Sequence, residues 1–252
     1  AGLAGDFLPW RTAFIAAGIV GFLLLLMRVQ SMETGIFKES QLKSKVKGSF
    51  LLLFSNRKRA FKYFACILMG VPIWYSVGLL ITLSPELAKE HQIDFLKLGL
   101  CFILFQTGIT TGDLSSGIIS QWIKSRKKVL LLFMGIAIAG TILHFNQLYQ
   151  SSPIYVTSFL MGLGCGYLSV FVTTTAEHFG TNLRVTVTAT VTNFMRGAVT
   201  ILIPLRIFLQ SQFDINITGS LIITGLIVWT LAIVSVIILP DTYGKDLDFV
   251  EE

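Results

Sequence analysis

Seven stretches of nearly unbroken apolar character run through this chain: Trp10–Met27, Tyr63–Leu83, Leu96–Trp122, Val129–Gln147, Ile154–Ala176, Val185–Phe208 and Gly219–Leu239. Each approaches the ~20 residues an α-helix needs to cross a ~30 Å hydrocarbon core. Within the sixth, residues 185–192 alternate Val or Ala with Thr, a local strand pattern. Its length and setting overrule that reading, because a lone strand in lipid leaves its backbone groups unsatisfied. The pattern therefore predicts an all-α membrane protein with seven transmembrane helices. The first, fourth and seventh are nearly free of polar side chains, as helices that face lipid are. The other four carry glycines, threonines, aromatics and ionisable groups, so they read as the walls of a cavity. This three-helix rhythm predicts a bundle built from repeated helix triplets.

Basic residues set the expected orientation. The segment after the first stretch holds Arg28, Lys38, Lys43, Lys45, Lys47, Arg57, Lys58, Arg59 and Lys62, whereas the next loop has Lys89 and Lys97 beside Glu86, Glu90 and Asp94. Lys124, Arg126, Lys127 and Lys128 follow, and then a loop, Leu148–Pro153, without charge. Positive-inside sorting places the basic loops in the cytoplasm of a cell bounded by an inner membrane. The N-terminus is then external and the tail Pro240–Glu252 cytoplasmic. An outside start and an inside end, with no signal peptide recognisable at Ala1, predict that further helices precede this chain.

The composition agrees with this class: 53% hydrophobic, 13% charged, mean hydropathy +0.73. The net charge of +6 sits at span ends as a topological signal, and nucleic acid is not expected as a partner. Cys66, Cys101 and Cys165 all fall inside predicted spans, which excludes a disulfide framework and gives no metal-ligand spacing. No cofactor or metal is expected. No span pairs a nucleophile with a base, so the chain does not read as an enzyme. Seven helices with an outside start also describe a receptor or a retinal photoreceptor, but the last span lacks a Schiff-base Lys.

The candidate chemistry lies in four spans. Gln106, Thr110, Asp113 and Gly117 are four, three and four residues apart, hence on one helical face. Asp113 precedes Lys124 by eleven residues, about 16 Å along a helix. A carboxylate at that depth costs about 2.5–3.5 kcal/mol to insert, so it needs a cavity or a partner. It reads either as a proton relay or substrate contact, or as a packing carboxylate bonded to backbone. Arg196 lies twelve residues beyond Arg184, at comparable depth, with Asn193 and Thr200 on its face. A guanidinium cannot shed its charge, so Arg196 requires an anion: Asp113, a carboxylate in the upstream part, or the substrate. Pro72 predicts a kink in the second span, next to Trp74 and Tyr75, which then shape a pocket. Gly162 and Gly166 form a small-xxx-small face for close helix approach. His144 reads as structural or interfacial.

Three segments carry a family resemblance. Gly117-Ile-Ile-Ser-Gln121-Trp-Ile-Lys124-Ser125-Arg126-Lys127-Lys128 resembles the G-x-x-x-D-R-x-G-R-R/K loop of the major facilitator superfamily, with Gln121, Trp122 and Ser125 replacing its Asp, Arg and Gly. Glu177-His-Phe-Gly-Thr-Asn-Leu-Arg184 is similar to the E-x-F-P-T-x-x-R stretch before the eleventh helix, with Gly180 for Pro. Leu239-Pro240-Asp241-Thr242-Tyr243-Gly244 is similar to the L-P-E-T-x-G tail of sugar-porter-like members.

The resemblance implies that the chain covers family helices six to twelve. Residues 1–28 are then the last helix of the N-terminal half, 29–62 the central cytoplasmic loop with a short amphipathic helix, 63–239 the C-terminal six-helix half and 240–252 a cytoplasmic tail. It implies alternating-access transport of a small polar metabolite, a sugar or organic anion, with protons and the lipid bilayer as partners and the N-terminal half supplying the rest of the cavity. Drug or metabolite efflux by proton antiport is the alternative. The expected substrate or coupling residues are Asp113, Arg196, Asn193, Gln106, Thr110, Trp74 and Tyr75. The expected gating-loop residues are Gly117, Arg126, Lys127, Glu177 and Arg184.

Overall fold

A computed structural model describes residues 9–29, 50–92, 96–146 and 151–244. The chain divides into two units, Ala1–Lys47 and Gly48–Glu252. The described residues of the first form a helix, α1 (Trp10–Val29), whose run Phe14–Met27 is apolar all round. The amphipathic helix expected in the central loop lies outside the described residues.

The second unit is all helical among its described residues. After a 3₁₀ turn at Phe50–Phe54 come α2 (Arg57–Tyr75), a π-type turn (Ser76–Ile81), α3 (Ser84–Glu90), α4 (Leu98–Ile123) and α5 (Arg126–Asn146). Then follow α6 (Ser151–Cys165), α7 (Leu168–Glu177), α8 (Arg184–Gly197), α9 (Val199–Phe213) and α10 (Ile217–Ile238). Among the described residues, five stretches are long and apolar enough to cross a membrane: Arg57–Ile81, Arg126–Asn146, Ile154–Glu177, Arg184–Phe213 and Ile217–Ile238. The 26-residue α4 is long enough, but Gln106, Asp113 and its Thr and Ser residues dilute its apolar character.

Three departures from the apolar pattern have local causes. The second span begins six residues before Tyr63, because Asn56 is extended and its side chain accepts the Lys58 N–H (2.9 Å), capping the helix among basic residues. Pro72 stays within α2, which loosens into the π-type turn four residues later, where the backbone ladder is re-registered rather than broken. The fifth span is two helices, with the ladder interrupted at Gly166 and Tyr167. The strand-like alternation of residues 185–192 is helical, and Thr188, Thr190 and Thr192 each bond back to a carbonyl of the preceding turn, as Thr190 Oγ1 does to Thr186 O (2.7 Å).

Packing centres on α6. Gly162 and Gly166 press against Phe105 and Gly112 of α4, and Gly164 against Ala137 of α5, so that a Cβ at any of the three would run into backbone. The opposing face of α4 is also small, at Gly108 and Gly112. Backbones this close gain dispersion and weak polar contacts that lipid cannot supply. Tyr63, Met69, Tyr75, Phe105, Phe133 and Phe171 belong to one buried cluster joining α2, α4, α5, α7 and α10. At the end opposite the basic residues, α3 is fastened to the start of α10. Glu90 Oε2 accepts the Thr218 N–H (3.3 Å), and His91 Nε2 lies 3.1 Å from Thr218 Oγ1.

Candidate substrate face and basic-end latch

Two groups of functional side chains emerge, one at mid-span and one at the basic end. At mid-span, α8 turns Asn193 and Arg196 outward and the start of α9 turns Thr200 outward, all three exposed. The Arg196 guanidinium stacks on the indole of Trp74 in α2, 4.9 Å from its centroid. A cation over an indole gains about 0.5–2 kcal/mol, more as water is excluded, and keeps its N–H groups for an anion. The Trp74 Nε1–H is itself buried with no hydrogen-bond partner. No carboxylate pairs with Arg196 among the described residues.

Asp113 does not pair with Arg196 either. Its Oδ1 accepts the backbone N–H of Ser169 (2.9 Å), and its own carbonyl accepts from Ser169 Oγ (3.3 Å). Ser169 lies in the first turn of α7, just past the break, where N–H groups have no partner inside their own helix. The carboxylate therefore caps a helix in trans, and the positive end of that helix is what it balances in place of a cation. Thr110 and Gln106 are exposed one and two turns along α4 from Asp113, with Thr110 Oγ1 bonded back to Gln106 O (3.0 Å).

Tyr75 parts company with Trp74. It is fully buried, its hydroxyl donates to Leu221 O of α10 (2.7 Å), and its ring lies over the notch left by Gly225. The physical reason is the helical register. Adjacent residues point about 100° apart, so Trp74 and Tyr75 cannot both face one pocket. His144 is buried between α5 and α6 with Nδ1 2.9 Å from Thr157 Oγ1, a structural contact.

At the basic end, Arg126 joins three elements. One of its terminal nitrogens donates to Ser120 Oγ (2.7 Å), and the other to Glu177 Oε1 at the end of α7 (3.3 Å). The second Glu177 oxygen accepts from Thr242 Oγ1 in the tail (2.6 Å). Asp241 caps α5: its carboxylate accepts the Ser125 hydroxyl and the Arg126 N–H (3.1 Å). Burial pushes the Asp241 carboxyl up, but hydrogen bonds from Ser125 and from the Tyr243, Arg126 and Lys127 amides outweigh it and hold the group below the usual carboxylate range. Lys127 reaches back to the Leu239 carbonyl (3.2 Å), completing the hold of the tail on α5. Arg184 Nε donates to Ala176 O (3.2 Å), closing the last turn of α7. Arg126, Lys127, Glu177 and Arg184 thus meet in one network, while Gly117 lies outside it beside open space. Asp241 and Thr242 stand in the tail motif without a role that their sequence marks, and residue type gives Ser169 no functional signal.

No curated protein and no solved structure matches the chain. Residues 1–204 match the family model of the Major Facilitator Superfamily. The chain belongs to that superfamily, and is accordingly an integral membrane protein of a family of small-molecule transporters rather than enzymes.

Proposed function

We propose that this chain forms helices six to twelve of a proton-coupled, alternating-access transporter in the cytoplasmic membrane, and that it carries a small organic anion rather than a sugar. Its N-terminus is external, its basic end and tail are cytoplasmic, and upstream helices supply the other wall of the cavity. The observation that carries this reading is the span Arg184–Phe213, at once the least apolar of the five and the least buried, at 17%. Its later part exposes Ile201, Ile207 and Phe208, but the face that carries Asn193 and Arg196 is polar, outward-facing and at membrane depth, and such a face belongs against water or a second protein wall, not against lipid.

Arg196 selects the anion. Its guanidinium is permanently charged, held in orientation by Trp74, and flanked by Asn193 as a second polar contact. Asp113 is the coupling carboxylate, exchanging a proton with water in the cavity. The network of Arg126, Glu177, Asp241 and Thr242 closes the cytoplasmic side and opens once per cycle.

Uptake into proteoliposomes by the full-length transporter, with and without an imposed pH gradient, tests the reading over a panel of carboxylates and neutral sugars. The expected result is gradient-driven uptake of a carboxylate, with Asp113→Asn still binding substrate but indifferent to the gradient. Uptake of neutral sugars alone, or a gradient response unchanged in Asp113→Asn, contradicts it.

A further inference from the structure

The cap that Asp113 places on α7 joins two sites that the function must connect. α7 is a ten-residue rod, about 15 Å long. Its first turn is held by Asp113 through the Ser169 N–H, and its last residue, Glu177, is held by Arg126 and Thr242. Above its first turn the chain is broken, with Cys165 ending α6 and Leu168 opening α7. The residues at the break are fixed on both sides. Gly166 packs on the backbone of Gly112 and Asp113, and the Tyr167 hydroxyl donates to Met69 O of α2 (3.2 Å). α6, by contrast, is clamped along its length by Gly162 and Gly164. The break therefore separates a fixed helix from one whose two ends rest on polar contacts.

We infer that α7 is a lever by which protonation of Asp113 unfastens the cytoplasmic latch. Ionised, the carboxylate accepts a charge-assisted bond from Ser169 and balances the positive end of α7. A proton from cavity water adds to the carboxylate, removes its charge and leaves a weaker neutral acceptor; no other bond is made or broken. Loss of that bond lets α7 tilt as a unit about Gly166–Tyr167, with Phe171 shifting within the buried cluster that packs its middle, and the displacement is delivered at Glu177. Titratable and charged groups on the elements packed against α4 are Arg126, Lys127, Lys128 and His144 on α5, Tyr155 and Cys165 on α6, and Glu177 on α7, with none on the π-type turn. None of these hydrogen-bonds or ion-pairs with the Asp113 carboxylate, so its charge is answered by backbone. This inference rests on the coupling role proposed for Asp113 and adds its mechanical route.

The test is the distance between spin labels at Trp122→Cys on α4 and Thr181→Cys beyond α7, measured in the full-length transporter in lipid nanodiscs from neutral to acid pH. Wild type is expected to shift between two distance populations as pH falls. Asp113→Asn should hold the released population at every pH, a shift of about fivefold in the ratio at neutral pH for the exchange of a charged for a neutral acceptor. Ser169→Pro removes the N–H while tolerating the first helical turn, and should release α7 with Asp113 intact. Ser169→Ala keeps the N–H and should behave as wild type. Distances unchanged in both Asp113→Asn and Ser169→Pro overturn the lever, even if Asp113→Asn abolishes proton-driven uptake, in which case the coupling role stands without it. Released distances in the variants of a transporter that ignores the pH gradient uphold the lever and refute proton coupling.

Discussion

Two spans of this protein answer the same membrane in opposite ways. Ile217–Ile238 is the most apolar of the five and 44% of it is buried, whereas Arg184–Phe213 is the least apolar and only 17% buried. If lipid surrounded both, the second would be the more costly, since it turns Asn193 and Arg196 outward. The first buries Ser220, Thr224 and Ser235, leaves the small Thr230 exposed, and turns Leu226 out at 64% exposure. The contrast separates a face suited to lipid from one suited to the proposed aqueous cavity.

An exchange of residues breaks the comparison most directly. Leu226→Arg puts a guanidinium on the lipid face of α10 and should cost about 2.5–3.5 kcal/mol of insertion, read as loss of folded protein in membranes. Arg196→Leu should insert at least as well as wild type while transport falls about 100-fold, since a charged contact to substrate worth about 1.5–3 kcal/mol is removed. Equal yields for the two variants would mean that both faces see the same solvent.

Next in size are the packing contacts of α10. Gly225→Leu drives side-chain atoms into the Tyr75 ring, whose hydroxyl stands 2.5 Å from the position of a Cβ, and should cost about 1–3 kcal/mol in thermal stability. Tyr75→Phe removes one hydrogen bond, to Leu221 O, and should cost about 1 kcal/mol with transport kinetics intact. Trp74→Phe should instead raise the apparent KM for the substrate, because Trp74 orients Arg196.

The smallest effect belongs to the latch. Because Asp241 is held below its ordinary value of 3.8, it stabilises the fold above that pH and loses the contribution as pH falls through its lowered value. Melting curves from pH 7 downward should show this acid step in wild type and not in Asp241→Asn. Its amplitude is at most about 1 kcal/mol, as expected of a partly exposed contact.

The helical class, five of the seven expected spans and the family were legible in the sequence because each rests on patterns tens of residues long. The small-residue face Gly162–Gly166 was legible too, since its spacing alone states the geometry. Pairings across the bundle were not. Depth along a helix placed Asp113 and Arg196 at one level, but level does not give azimuth, and the partners prove to be Ser169 N–H and the Trp74 ring. Nothing in residue type marks a backbone amide as a partner, so Ser169 carried no signal apart from the glycines just before it. Tyr75 was grouped with Trp74 by adjacency, which in a helix separates side chains rather than joining them.

The central claim is that the face of α8 that carries Asn193 and Arg196 meets water rather than lipid. Cys66, Cys101 and Cys165 are buried and are replaced by alanine to give a silent background. Asn193→Cys on α8 and Leu226→Cys on α10 are then exposed, in membranes, to a charged, membrane-impermeant maleimide. The account predicts rapid labelling at Asn193→Cys, slowed by a transported carboxylate, and none at Leu226→Cys. Labelling of neither position, or of both at equal rates, would contradict it.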